Sequence, residues 1–141
     1  VLSAQGGALP KLVPPFLFGL GGPIGGGRQY MSWIDLDDLV DILHIAITQP
    51  DAPPVLNGVA PHPVTNAEFG RCLGRVLGRP SFFPLPAAVV RLFFGEMGEA
   101  VLLGGNRVLP QALLDEGYRS WREPDLIGSL ARQLGRKRPN A

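Results

Sequence analysis

Apolar and polar positions along the chain change period several times, and the changes mark its elements. Residues 8 to 20 are apolar but punctuated by Pro10, Pro14 and Pro15, which predicts a short helix giving way to irregular backbone. Gln29 to Ile34 is aromatic and β-branched enough for a short strand. From 37 to 48, Leu39, Val40, Ile42, Leu43, Ala46 and Ile47 cover a broad helical face, wide enough to predict a mostly buried helix. Pro50, Pro53 and Pro54 end it, and Val55 to Ala60 reads as a buried strand. The next helix carries the clearest signals. Thr65-Asn66-Ala67-Glu68 is a capping box, Phe69, Cys72, Leu73, Val76 and Leu77 form a stripe, and Gly78 suits a left-handed stop.

Further helices are predicted over Ala87 to Phe94, with Pro86 at the first helical position, and over Met97 to Leu103. Two more run from Pro110 to Asp115, stopped by Gly117, and from Pro124-Asp125 to about Leu134. Strand, helix, strand and helix in succession over 29 to 77 predict a parallel α/β unit, with a small helical cap after it. Val1-Leu2, followed at once by Ser-Ala-Gln-Gly-Gly, reads as the last residues of a strand.

Nineteen glycines and fifteen prolines make up about a quarter of the 141 residues, roughly twice ordinary usage. With 45% apolar residues, that excess predicts many turns rather than disorder. The net charge of +1 creates no field that would draw nucleic acid or an acidic membrane, and the basic run Arg136-Lys137-Arg138 reads as a solvated tail. Arg91, Glu96 and Glu99 interrupt the longest apolar stretch, Leu85 to Leu103, so it makes a poor membrane span. A single cysteine excludes an internal disulfide and a cysteine metal cage. With no targeting pattern, the expected location is cytoplasmic.

Candidate chemistry is sparse. The loop GLGGPIGGG, Gly19 to Gly27, fits neither G-x-G-x-x-G nor the Walker pattern, so a turn or lid is favoured over a phosphate cradle. Asp35, Asp37, Asp38 and Asp41 put four carboxylates in seven residues. A metal site, an acid/base pair and a helix opening compete to explain them. Asp37 and Asp38 fit an N-cap and first helical position at the positive end of a dipole. Asp41 has only His44 at helical spacing as a further ligand. Asp35 is less readily explained as a cap. By strand alternation it shares a face with Met31 and Trp33, and a large ring beside a carboxylate predicts the edge of a cleft. His44 reads as a core-edge residue, His62 as part of an extended loop and Cys72 as a buried thiol. No hydrolytic triad is visible.

Three stretches resemble a known family. "GGALPKLVPPFLFGLGGPIGGGRQYMSWIDLDDLV", "APHPVTNAEFGRCLGRVLGRP" and "PLPAAVVRLFFGEMGEAVLLGGNRVLPQALLDEGYRS" are similar, in order, to the C-terminal part of epimerase-like atypical short-chain dehydrogenase/reductases. These belong to the NAD-dependent epimerase/dehydratase superfamily, and the last stretch resembles its C-terminal domain of unknown function.

The resemblance implies the C-terminal portion of a Rossmann-like extended fold, a few short strands with a helical cap. Residues 1–80 would end the sheet, and 81–141 would form a helical substrate lobe. It implies a partner N-terminal half that binds NAD(P), with no cofactor bound by this chain alone. The function implied is a substrate-binding lobe of a nucleoside-diphosphate-sugar epimerase or reductase, not catalytic by itself. Arg28, Gln29, Ser32 and Trp33 would meet substrate, with Asp35 beside them. Glu96 and Arg107 stand in the Gly-Glu-Met and Arg-Val-Leu-Pro motifs, where an internal salt bridge competes with ligand contact.

Two departures stand out. The family's histidine after Trp-Ile is Asp35 here. The Tyr-x-x-x-Lys pair of working short-chain dehydrogenases is also absent, since Tyr30 is followed four later by Ile34 and Tyr118 by Arg122. A second reading is a protein-interaction module that keeps the fold without the chemistry and forms a homodimer.

Overall fold

The computed structural model describes residues 1–84 and 105–139. The helices expected over Ala87–Phe94 and Met97–Leu103 lie outside them, as does Glu96. The described elements are α1 (Leu9–Leu17), β1 (Tyr30–Met31), α2 (Leu36–Thr48), β2 (Val64–Thr65), α3 (Asn66–Leu77), α4 (Gln111–Asp115) and α5 (Leu126–Gln133). β1 and β2 pair antiparallel, Tyr30 opposite Thr65 and Met31 opposite Val64. Leu2 forms a parallel bridge with Asp35, through Leu2 N–H to Ile34 O (2.7 Å) and Leu36 N–H to Leu2 O (3.2 Å). Of the strand read in Val1-Leu2, only this single bridge at Leu2 is present.

α3 packs on both α1 and α5. Phe69, Leu73 and Val76 from α3 meet Leu9, Leu12 and Phe16 from α1 and Leu126, Leu130 and Ala131 from α5 in the main core. The expected capping box of α3 is formed. Thr65 Oγ1 accepts from Glu68 N–H, and Glu68 Oε2 accepts from Thr65 N–H at 2.7 Å. Gly78 ends the helix in the left-handed region, φ +63°.

The extended stretch after β1 divides the interior. Trp33 enters the main core, whereas Ile34 joins a second cluster with Ile42, Leu113 and Trp121. Adjacent residues of an extended chain point to opposite faces, so one stretch serves both clusters.

Four expectations are corrected. The parallel unit expected over 29 to 77 does not form: its second strand, Val55 to Ala60, is absent, and β1 pairs antiparallel with β2 instead. α1 runs through Pro14 and Pro15 instead of breaking. Two intrahelical N–H groups are lost, and burial of Leu9, Leu12 and Phe16 along one face holds the helix. Val55 to Ala60 is no strand. Its tie to the Trp33 stretch is the bond from Ala60 N–H to Trp33 O (2.7 Å), and Val55 is 75% exposed. α2 is not mostly buried either, because Val40, Leu43 and Ile47 lie on an exposed face. Periodicity reports an apolar face but not what covers it.

Leu73 is 0% exposed at the junction of the three helices. Leu73→Ala should therefore lower unfolding free energy by about 2–5 kcal/mol in urea denaturation. A loss below about 1 kcal/mol would show that α3 is not the centre of the core.

Candidate functional site

The glycine-rich loop is tied to the start of α3. Asn66 N–H donates to Gln29 O (2.9 Å) and Ala67 N–H to Gly27 O (3.0 Å). Asn66 is buried, and its Oδ1 accepts from Ile24 N–H at 2.7 Å. Gln29 Nε2 closes the loop on Ile24 O. The loop's own carbonyls thus take helix N–H groups that a phosphate cradle would offer to a ligand. Gly27, at φ +66°, is required where the loop meets Ala67.

From this fixed loop the chain delivers Arg28 to the surface, two residues before Tyr30. The Arg107 guanidinium lies over the Tyr30 ring, 5.4 Å from its centroid. Ser32 holds the 106–108 segment in place. Its hydroxyl donates to Asn106 O and accepts from Val108 N–H, both at 2.8 Å. Gly105 permits this approach, since a Cβ there would come within 2.7 Å of Tyr30 O. Arg28, Gln29, Ser32 and Arg107 are therefore gathered around β1, although 107 is remote from the others in sequence.

Trp33 and Asp35 belong elsewhere. Trp33 is 3% exposed, with Nε1–H donating to His62 O (2.9 Å). Asp35 is 0% exposed. Strand alternation puts them on one side as expected, but that side is packed interior and not a cleft edge.

The four carboxylates have separate structural partners. Asp35, not Asp37, is the N-cap of α2, accepting from Asp37 N–H at 3.0 Å. It also accepts from Ser129 Oγ (2.7 Å), Gln133 Nε2 (3.1 Å) and Arg132 Nη2, while Arg132 Nη1 reaches Asp37. Asp38, 0% exposed, accepts Arg122 N–H through Oδ1 (2.7 Å) and leaves Oδ2 without a hydrogen bond. Burial pushes the Asp38 carboxyl above the usual range. Asp41 takes a two-pronged bond from Arg122, Nε at 2.6 Å and Nη2 at 2.7 Å. That bond holds its carboxyl below the usual range.

The acidic run is thus a helix cap with two arginine ties to the C-terminal segment. Among the described residues no group of three His, Cys, Asp or Glu is placed to hold a metal. His44 is exposed rather than at the core edge. Cys72 is half-buried, and its burial raises the thiol's pKa. The arginine partners were missed because Arg122 and Arg132 lie more than eighty residues from the acids they bind.

The model of a family described as a domain of unknown function (DUF1731) matches residues 85–132. The human "Epimerase family protein SDR39U1" is 49% identical over 130 residues, covering 92% of this chain and 44% of that protein. The Mycobacterium bovis "Epimerase family protein Mb2239" is 47% identical over 119 residues, covering 84% of the chain and 40% of that protein. A crystal structure of the human epimerase family protein SDR39U1 (isoform 2) with NADPH superposes with a TM-score of 0.85 at 43% identity, over 95% of this chain and 45% of that one. The nucleoside-diphosphate sugar epimerase from Corynebacterium glutamicum gives 0.72 at 31% identity, over 95% and 24%.

The chain belongs to the epimerase family, with an α/β fold matching the C-terminal part of a Rossmann-like short-chain dehydrogenase/reductase. It spans less than half the length of the curated relatives it matches. No helix among the described residues is long and apolar enough to cross a membrane.

Arg132→Ala should destabilise the protein by about 1–3 kcal/mol, because it strips a charged partner from buried Asp35. Unchanged melting would remove that tie from the account. A second outcome follows from Asp38. The folded state holds its proton more tightly than the unfolded chain, so its favourable contribution is fully present below about pH 4. That contribution declines as pH rises through the raised folded-state value. The stability of Asp38→Asn relative to the parent should therefore improve between about pH 4 and pH 7. A difference that stays flat with pH would contradict it.

Proposed function

We propose that this chain is the substrate-side lobe of an NADPH-dependent, epimerase-family protein, acting on a nucleoside-diphosphate sugar and not catalytic by itself. One observation carries the reading: Arg28 and the stacked Arg107–Tyr30 pair stand at the exit of a loop held rigidly against α3. Guanidinium groups suit a diphosphate, and an aromatic face suits a base or sugar ring. Gln29 and Ser32 orient the platform, the first by closing the loop and the second by holding 106–108. Trp33 and Asp35 support it from inside. Glu96 falls outside the described residues and keeps its place only through its motif.

NADPH would be held by the remainder of a longer protein, as the lengths of the relatives suggest. The exposed face of α2, with Val40, Leu43 and Ile47, offers an apolar contact for that remainder. The same face favours a second reading, a protein-interaction module that pairs with another copy.

Calorimetry and light scattering test the proposal. The 141-residue chain alone should show no NADPH binding at micromolar concentrations. In the full-length protein, Arg28→Ala with Arg107→Ala should weaken UDP-glucose binding about 10–100-fold, as expected for two lost charge-assisted contacts, and leave NADPH binding intact. Unchanged UDP-glucose affinity would refute the substrate platform. A concentration-dependent dimer of the full-length protein, together with that result, would favour the interaction module.

A further inference from the structure

A cleft of about 500 Å3 opens between the second half of α2, the 49–56 segment and the turn after α4. None of Arg28, Gln29, Ser32, Trp33, Asp35 or Arg107 lines it. Its lining combines apolar Ile45, Leu56 and Leu113 with several charged groups. Leu113 is 3% exposed, so part of that lining is continuous with the second core cluster.

The charges are unevenly satisfied. Arg119 reaches the carbonyls of Leu114 (3.1 Å) and Tyr118 (2.7 Å), so its guanidinium is already engaged by the end of α4 and the turn after it. Asp41 is already matched by Arg122. Asp51 and Glu116 are exposed and make no ion pair among the described residues. Gln49, the residue that ends α2, also lines the cleft, so the negative end of a thirteen-residue helix borders it. Tyr118 adds an aromatic wall, and an electron-rich ring face attracts a cation. A metal ion suits the cleft poorly, since no cluster of three ligating side chains is placed there.

We propose that this cleft binds a small organic cation, an ammonium group carried on an apolar body. Asp51 and Glu116 take the charge, while Ile45, Leu56 and Leu113 take the body. The site is separate from the Arg28–Arg107 platform in both residues and charge preference.

The test is an amide-shift NMR titration of the chain with benzylamine, benzyl alcohol and benzoate, which share a ring and differ in charge. Benzylamine should move the signals of residues 44–56 and 113–120. It should bind about tenfold more tightly than benzyl alcohol at low salt, and benzoate more weakly still. Raising salt to about 0.5 M should shrink that preference. Asp51→Asn with Glu116→Gln should bring it to near parity, with circular dichroism unchanged because both side chains are exposed. Equal affinity for the three probes, shifts confined to other residues, or a preference that survives the double substitution or high salt would overturn the proposal. Neither Arg28 nor Arg107 is touched, so failure here leaves the substrate platform standing.

Discussion

Asp35 is a carboxylate with no exposure to solvent, and a buried charge persists only where partners replace its water. Here the partners come from both ends of the chain. The backbone beside Asp35 pairs with Leu2, its oxygens cap α2, and Ser129, Arg132 and Gln133 reach it from α5. One side chain therefore fixes where α2 starts and where α5 docks. Arg132 extends the lock to Asp37, and Arg122 adds a parallel tie through Asp38 and Asp41. Around this polar seam the two hydrophobic clusters divide, with Trp33 on one side and Ile34 on the other.

The candidate platform depends on that seam at one remove. Residues 28–32 leave the glycine-rich loop and run directly into Trp33, Ile34 and Asp35, whose positions are set by packing and by the ion pair. At the other end, α3 uses its first N–H groups to hold the carbonyls of Gly27 and Gln29. A short, half-buried stretch fastened at both ends can hold the exposed Arg28 and Tyr30 with little ordering left for a ligand to impose. Arg107 joins it through Ser32, whose hydroxyl makes two backbone hydrogen bonds. The stack therefore sets a guanidinium and an aromatic ring side by side at the exit of the loop, the arrangement on which the proposed substrate platform rests.

Local signals alone determined much of this protein. The Thr65–Glu68 box, the stops at Gly78 and Gly117, the start of α5 at Asp125 and the amphipathic stripe of α3 are short-range chemistry, decided within a few residues. The motifs of the glycine-rich loop and the Arg-Val-Leu-Pro stretch carried the family, and strand alternation placed Trp33 and Asp35 on one face. What lay on that face was decided only by tertiary structure. Sequence alternation cannot distinguish a cleft edge from a buried polar seam, because the partners that make Asp35 tolerable inside lie about a hundred residues away. For the same reason the acidic run read as two capping residues when Asp35 was the cap. Likewise the apolar face of α2 read as buried when part of it is exposed: periodicity records which side is apolar, and only packing decides what meets it.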